Sequence, residues 1–211
     1  KRTGPLQSQQ VFDAINRMAD PDAIYSVDIG NTTQFSVRHL HLTPQNMWRT
    51  SPKFATMGIG LPGAIAAKQD YPERQVWSLS GDGGFSMVMQ DIVTAVQHRL
   101  PSIHVVFCNE AFGFIKKAQE GTNEHVYFGV DFNDIDYAKI AEAQGALGLT
   151  LTQTENSDRV FEQAIAAEKE GRVVVVDAKL DKTPPFPVEE MKLDTKYFSE
   201  EEVEDFVLRY E

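Results

Sequence analysis

The chain has 211 residues, a length that suits one sizeable α/β domain or two small ones. Its net charge of −11 argues against nucleic acid or an anionic membrane surface as a partner, because both require a basic face. No apolar stretch approaches the roughly 20 residues that span a bilayer, and a single cysteine, Cys108, excludes an internal disulfide and is typical of a reducing compartment. We therefore predict a cytoplasmic protein.

Short apolar runs alternate with amphipathic segments along the first 180 residues. Four consecutive valines at positions 173–176 indicate a strand that is buried on both faces. The alternation predicts a doubly wound, mostly parallel sheet of about six strands with helices on both faces. In chain order we predict a helix over 8–18, strands over 23–28 and 75–80, a helix over 86–97, a strand over 102–109, a helix over 134–143, a strand over 147–152, a helix over 158–169 and a strand over 172–178.

The composition changes at Asp181. The proline-rich stretch over 184–187 cannot sustain a helix or a central strand and predicts an extended arm. Ser199 then opens a predicted helix whose first turn is acidic, as the helix dipole favours. We expect one domain over residues 1–180, followed by a C-terminal arm and helix over 181–211.

A glycine-rich turn, Gly81-Asp82-Gly83-Gly84, follows a predicted strand and precedes a predicted helix. Glycines let the backbone approach a phosphate closely, and the N–H groups at a helix N-terminus favour anions. In an open parallel sheet, ligands collect at the carboxyl ends of the strands. The spacing fits neither the dinucleotide-binding fingerprint nor the Walker A loop, so the turn predicts a phosphate site of another kind.

An aspartate inside a phosphate loop repels the anion unless a cation lies between them. Mg²⁺ in proteins takes one or two carboxylate or amide oxygens together with phosphate oxygens and water. Asn109 ends the next predicted strand, 27 positions after Asp82, and adjacent parallel strands would set the two side chains together. Gly-Asp-Gly alone is a common turn, but the combination with Asn109 favours a Mg²⁺–phosphate site. A non-catalytic phosphate-binding module with the same sheet remains an alternative.

These residues resemble the thiamine diphosphate-binding motif, and residues 6–210 are similar to the C-terminal, diphosphate-binding domain of the pyruvate oxidase family. The segments over 54–58, 109–116 and 129–136 also carry the resemblance. It implies a Mg²⁺-, thiamine diphosphate- and FAD-dependent flavoprotein oxidoreductase that is a homotetramer. The implied reaction converts pyruvate, phosphate and O₂ to acetyl phosphate, CO₂ and H₂O₂. Two alternatives within the superfamily are a quinone-linked pyruvate dehydrogenase and an acetolactate synthase.

The resemblance also implies where the diphosphate end of the cofactor is held. Mg²⁺ would be bound by the side chains of Asp82 and Asn109 and by the backbone carbonyl of Ala111. The diphosphate itself would be lined by residues that are mostly glycines, namely Gly30, Asn31, Gly81, Gly83, Gly84, Phe112 and Gly113.

The same resemblance assigns residues to the reacting end. Met57 would be an apolar wedge that bends the cofactor, so that its 4′-imino group can remove the proton from thiazolium C2. The backbone at Ala55 and Met57 would hold the aminopyrimidine edge. Phe114 and Ile115 would face the reacting centre.

Two features limit the expected activity of these 211 residues. In the family an acidic residue usually lies three positions after the equivalent of Ile115, whereas this chain has Ala118. The family also needs a glutamate from a pyrimidine-binding domain of a neighbouring subunit, and neither that domain nor the FAD domain is present here. Because the sequence does not begin with Met, we expect a piece of a longer polypeptide that is an incomplete catalyst by itself.

Overall fold

The computed structural model describes residues 6–122 and 126–182. For residues 120–122 it describes the backbone alone. Helices and strands alternate along the described chain as the sequence predicts. Two 3₁₀ turns lie at Met89–Asp91 and Thr154–Asn156. The elements are α1 (Ser8–Met18), β1 (Ile24–Val27), α2 (Asn31–His39), β2 (Met47–Arg49), α3 (Gly60–Asp70), β3 (Val76–Gly81), α4 (Asp82–Ser86), α5 (Ile92–Gln97), β4 (Ile103–Cys108), α6 (Gly113–Thr122), α7 (Tyr137–Ala143), β5 (Leu147–Leu151), α8 (Ser157–Lys169) and β6 (Val174–Lys179).

The six strands form one sheet in the order β2-β1-β3-β4-β6-β5, and all neighbouring pairs are parallel. This confirms the predicted fold class. The chain runs outward from β1 to β2 and then returns to place β3 on the other side of β1. A reversal of this kind opens a crevice at the carboxyl ends of β1 and β3, where doubly wound sheets bind ligands.

Both faces of the sheet are covered, because alternate side chains of each strand enter different apolar layers. On β4, Ile103 and Val105 pack with residues of α1 and α8, whereas Val106 and Cys108 pack with residues of α5 and α7. The central strands are therefore fixed from both sides, and their carboxyl ends form a rigid edge.

Two predicted helices have different bounds in the structure. The predicted helix over 86–97 corresponds to the last residue of α4, a 3₁₀ turn and α5, because the chain turns at Val88, whose backbone leaves the helical region. The predicted helix over 134–143 begins at Tyr137, since the Asp136 side chain accepts the N–H of Lys139 and caps it.

Four elements have no counterpart in the prediction: α2, β2, α3 and α6. α3 contains Gly60, Pro62 and Gly63, which are poor helix formers. An added Cβ on Gly60 would lie 2.3 Å from Ser80 Oγ, and one on Gly63 would lie 2.4 Å from Ser26 Oγ. Close packing on the sheet, rather than local propensity, therefore stabilises this helix.

The predicted arm lies almost entirely outside the described residues, which end at Lys182, as does the helix predicted from Ser199. Within the part of the chain that the structure describes, no helix has both the length and the apolar character that a membrane span requires.

Candidate functional site

A cavity of about 480 Å³ opens at the carboxyl ends of β1, β3 and β4. Its wall combines the turn after β1, the glycine-rich turn after β3 and the segment after β4 with part of the loop before α3. Every residue that the sequence analysis predicts for the site lines this cavity: Gly30, Asn31, Ala55, Met57, Gly81, Asp82, Gly83, Gly84, Asn109, Ala111, Phe112, Gly113, Phe114 and Ile115.

Asp82 lies at the centre of the edge, where β3 passes directly into α4. Its side chain is 2% exposed. Oδ1 accepts the N–H of Gly83 at 2.8 Å, and Oδ2 accepts the N–H of Glu110 at 2.6 Å. Because β3 and β4 are neighbours in parallel register, the segment after β4 passes beside Asp82, as the sequence predicts for Asn109.

The Asp82 carboxyl lacks a basic partner among residues 6–122 and 126–182. Burial raises its pKa to about 6, although the N–H groups of Gly83 and Glu110 oppose the rise. A cation bound beside the carboxylate would favour its charged form. The electrostatics therefore suit a bound cation.

The neighbouring donor atoms are those of a hard cation. Asn109, whose amide carries an oxygen, lines the cavity, and the Ala111 carbonyl accepts the N–H of Gly113 at 2.9 Å with a second lone pair to spare. Within the described chain, no three His, Cys, Asp or Glu side chains gather into a metal-binding group. One carboxylate with amide and carbonyl oxygens fits Mg²⁺, which keeps waters and phosphate oxygens as its other ligands.

Glycines allow the segments of the cavity wall to pack closely against one another. An added Cβ on Gly83 would lie 2.5 Å from the Phe112 ring, and one on Gly113 would lie 2.4 Å from Asn31 Nδ2 and 3.1 Å from Asn109 Nδ2. The buried Asn31 Oδ1 has no hydrogen-bond partner among the described residues. Buried polar atoms are normally paired, so this one points to a ligand.

The Phe112 side of the wall is braced from behind. The Phe112 and Phe132 rings meet edge to face with centroids 4.4 Å apart. The N–H of Phe112 donates to Val130 O at 2.8 Å, and the N–H of Phe132 donates to Glu110 O at 2.8 Å. This short antiparallel contact holds Phe112 against Gly83.

The remaining predicted residues lie at the open side of the cavity. Met57 and Ala55 belong to the loop before α3, where Ala55 has a φ of +46°. Phe114 and Ile115 lie in the first turn of α6 and are 46% and 49% exposed. Large apolar side chains this exposed at a cavity mouth leave room for a ligand or a further protein segment.

Sequence reasoning missed a group of wall residues that come mainly from the start of α2 and from strand ends. A usable signal was present, since residues that follow each strand of a parallel sheet share one edge. The missed residues include Ser8, Ile29, Thr32, Thr33, Gln34, Phe35, Phe107 and Leu180.

Residues 28–178 match a family model described as thiamine pyrophosphate enzyme, C-terminal TPP binding domain. The chain belongs to this family. Thiamine pyrophosphate is another name for thiamine diphosphate, so the family predicted from Asp82 and Asn109 is confirmed.

The chain is also similar to individual proteins. It is 50% identical over 211 residues to the pyruvate oxidase of Lactiplantibacillus plantarum, covering 100% of this chain and 35% of that protein. It is 40% identical over 185 residues to a putative thiamine pyrophosphate-containing protein, YdaP, of Bacillus subtilis, covering 88% of this chain and 32% of that protein. The chain thus spans about a third of the length of these relatives.

A solved structure has the same fold. The thiamine diphosphate-dependent 4-hydroxybenzoylformate decarboxylase of Rhodococcus jostii RHA1 superimposes with a TM-score of 0.77 at 25% identity, over 87% of this chain and 34% of that one.

Proposed function

We propose that residues 1–180 hold the diphosphate end and the Mg²⁺ of thiamine diphosphate within a pyruvate oxidase. One observation carries the proposal. A buried carboxylate without a basic partner in the described chain, Asp82, lies beside the Asn109–Ala111 segment in a cavity with closely packed glycine walls. That arrangement suits a divalent cation joined to a diphosphate.

The metal would be bound by the Asp82 carboxylate, the Asn109 amide oxygen and the Ala111 carbonyl. The diphosphate would lie against the turn after β1 and the start of α6, where Asn31 Oδ1 lacks a partner among the described residues. The backbone N–H groups of these turns would complete the anion site. The diphosphate-lining residues are those of the cavity wall: Gly30, Asn31, Gly81, Gly83, Gly84, Phe112 and Gly113.

At the other end of the cavity, Met57 would pack under the bent cofactor, and the Ala55 backbone would hold its aminopyrimidine edge. A flexible thioether suits an irregular apolar gap. When bound, thiamine diphosphate supplies the carbon nucleophile that pyruvate decarboxylation requires. Phe114 and Ile115 would exclude water from that carbon.

The whole protein would convert pyruvate, phosphate and O₂ to acetyl phosphate, CO₂ and H₂O₂. Identity of 50% over the full chain to a pyruvate oxidase supports this activity. We further propose that FAD is bound mainly by another domain, that a neighbouring subunit supplies the pyrimidine-binding domain, and that the protein is a cytoplasmic homotetramer. Residues 181–211 would form a C-terminal arm and helix.

Ala118 bears on turnover rather than on binding. It lies on α6 one helical turn after Ile115, at the position where the family usually has an acidic side chain. We therefore propose that this protein binds its cofactor as tightly as its relatives but turns over substrate more slowly.

The proposal is tested with the full-length natural protein. Calorimetry with thiamine diphosphate should give binding that depends on Mg²⁺ in the wild type and is lost in Asp82→Ala. Product assays with pyruvate and phosphate should yield acetyl phosphate and H₂O₂ in equal amounts. Acetolactate formation, or turnover that requires a quinone, would instead identify one of the two alternatives. Binding that is independent of the metal in both proteins would support a non-catalytic phosphate module.

A further inference from the structure

Asp28, the residue directly after β1, is fully buried at 0% exposure beneath the candidate site. Its Oδ1 accepts the N–H of Ile29 at 2.7 Å and the N–H of Gly58 at 2.8 Å. Gly58 belongs to the loop that carries Ala55 and Met57. The carboxylate therefore reaches from the central sheet to the loop proposed to hold the aminopyrimidine end.

The same carboxylate touches the turn proposed to hold the diphosphate end. An added Cβ on Gly84 would lie 2.7 Å from Asp28 Oδ2 and 3.0 Å from Oδ1. An added Cβ on Gly58 would lie 3.5 Å from Gly84 O. The backbone of the glycine turn thus rests directly on Asp28, with the Met57 loop against its other side.

Asp28 also lies at the N-terminus of α3. An added Cβ on Gly60, the first residue of that helix, would lie 3.2 Å from Asp28 Cβ. The residue at the N-cap position, Ile59, makes no side-chain capping bond. Asp28 therefore supplies from β1 the negative charge that a helix N-terminus favours.

No basic side chain pairs with Asp28 within the described ranges 6–122 and 126–182. Burial raises the pKa of Asp28, while the N–H groups of Ile29 and Gly58 oppose the rise. Burying a carboxylate without a cation destabilises the folded protein, and close packing at this position does not by itself require a carboxylate. The two hydrogen bonds that offset this cost join Asp28 Oδ1 to Ile29 of the cavity wall and to Gly58 of the Met57 loop, while Oδ2 has no hydrogen-bond partner among the described residues.

We infer that Asp28 is a positioning residue that sets the distance between the Met57 loop and the Gly81–Gly84 turn, and so the bend of the bound cofactor. This inference rests on the proposed function. Met57 and the Gly81–Gly84 turn come from separate segments of the chain, and the Asp28 side chain lies against the backbone of both. Catalytic geometry must be held within a fraction of an ångström, which a backbone-to-backbone clamp can provide.

The test uses full-length protein saturated with thiamine diphosphate and Mg²⁺. Rapid acid quench and NMR measure the hydrogen–deuterium exchange rate at cofactor C2, which depends on the bend, and calorimetry measures the dissociation constant. Asp28→Ala should slow C2 exchange at least about tenfold at saturation, because the loop loses its anchor. Asp28→Asn keeps an oxygen for the Gly58 N–H and should stay within about threefold of wild type.

Glu168→Gln is the matched control. Glu168 is also a buried carboxylate, but it pairs with Lys68 at the opposite edge of the sheet. This variant should lower the unfolding temperature and leave C2 exchange at saturation unchanged. If Asp28→Ala does not fold, Asp28→Ser takes its place, since a serine is already buried at Ser26 on the same face of the strand. Its exchange rate should fall as expected for Asp28→Ala.

The outcomes separate the inference from the function on which it rests. If wild-type protein binds no thiamine diphosphate in the presence of Mg²⁺, the proposed function fails. If wild type binds and exchanges normally, and Asp28→Ala or Asp28→Ser exchanges at the same rate, Asp28 is merely structural and the inference is overturned. Slow exchange in Asp28→Asn equal to that in Asp28→Ala would also overturn it, because the Gly58 contact would then be irrelevant.

Discussion

Two buried carboxylates at opposite edges of the sheet have contrasting partners. One edge of the sheet is formed by the amino ends of the strands and is called the amino edge. There Glu168 is 6% exposed and pairs with Lys68 Nζ at 3.1 Å, while the same Nζ donates to Arg74 O at 2.7 Å. At the carboxyl edge, Asp82 is 2% exposed and accepts the backbone N–H groups of Gly83 and Glu110. The first carboxylate is paired with a protein cation, whereas the second has no basic partner in the described chain. Burial alone therefore does not indicate a cation site, and the contrast in partners is the observation behind the Mg²⁺ site that we propose at Asp82.

Breaking the amino-edge pair should have the largest effect on stability. Lys68→Met leaves Glu168 buried without its cation and should lower the free energy of unfolding by about 3–5 kcal/mol, as measured by urea denaturation at pH 7. The double variant Lys68→Met/Glu168→Leu should recover most of this loss, because no uncompensated charge remains. A loss below about 1 kcal/mol in the single variant would show that the pair contributes little to stability. Glu168 would then no longer contrast with Asp82.

Removing the carboxyl-edge charge should have the opposite signature. Asp82→Asn keeps the size of the side chain and should weaken Mg²⁺-dependent cofactor binding at least about a hundredfold, or about 2.7 kcal/mol, by calorimetry. The cofactor-free protein should be as stable as wild type or more so, because a buried charge without a cation has been removed. If Asp82→Asn bound the cofactor normally but were less stable than wild type, Asp82 would have a structural role like that of Glu168.

Adding a methyl group to a glycine of the cavity wall tests whether the cofactor must approach the backbone closely at the carboxyl edge. In Gly83→Ala the new methyl would lie 2.5 Å from the Phe112 ring, with Phe132 3.2 Å away. We expect cofactor binding to weaken about tenfold and stability to fall by about 1–3 kcal/mol. Adding Phe112→Leu should restore stability by making room. Unchanged stability in Gly83→Ala would mean that the Phe112 ring moves aside at little cost.

The amino edge also contains a neutral histidine whose protons can be assigned. Ser102 Oγ donates to Leu100 O at 3.0 Å, so His104 Nε2–H donates to Ser102 Oγ at 2.9 Å, and His104 Nδ1 accepts from Ser78 Oγ at 2.8 Å. Burial lowers the pKa of His104 to about 3. The protein therefore satisfies this ring in its uncharged form.

At neutral pH the smallest effect is expected from protonation of this histidine, and the effect grows as the pH is lowered. Between its unfolded pKa of about 6.5 and its folded pKa, the unfolded chain binds a proton that the folded chain does not. Stability is thus fully present above pH 6.5 and should fall as the pH is lowered, by up to about 1.4 kcal/mol per unit. Urea denaturation of wild type and His104→Gln should give a stability difference that shrinks on acidification. A difference that is independent of pH would contradict the assignment.

Much of the fold followed from local patterns. The valine run at 173–176 and the apolar stretch of β4 predicted buried parallel strands, because a strand covered on both faces lacks polar alternation. The helices α1 and α8 followed from their apolar stripes. By contrast, β2 is a three-residue edge strand, and α3 depends on contacts of Gly60 and Gly63 with serines of the sheet. Neither has a strong signal within its own residues.

The candidate site likewise has some features that the sequence predicted and others that only the tertiary structure revealed. Asp82, Asn109 and the glycines were predictable because each lies next to a strand end, and parallel strands bring their ends to one edge. The sequence by itself therefore determined the fold class and the family, and the chemistry of the anchor stays a prediction. The tertiary structure alone decided that Asp82 lacks a cation in the described chain while Glu168 has one, and that Asp28 joins the Met57 loop to the Gly84 turn. These facts depend on contacts between residues distant in sequence, which no local pattern records.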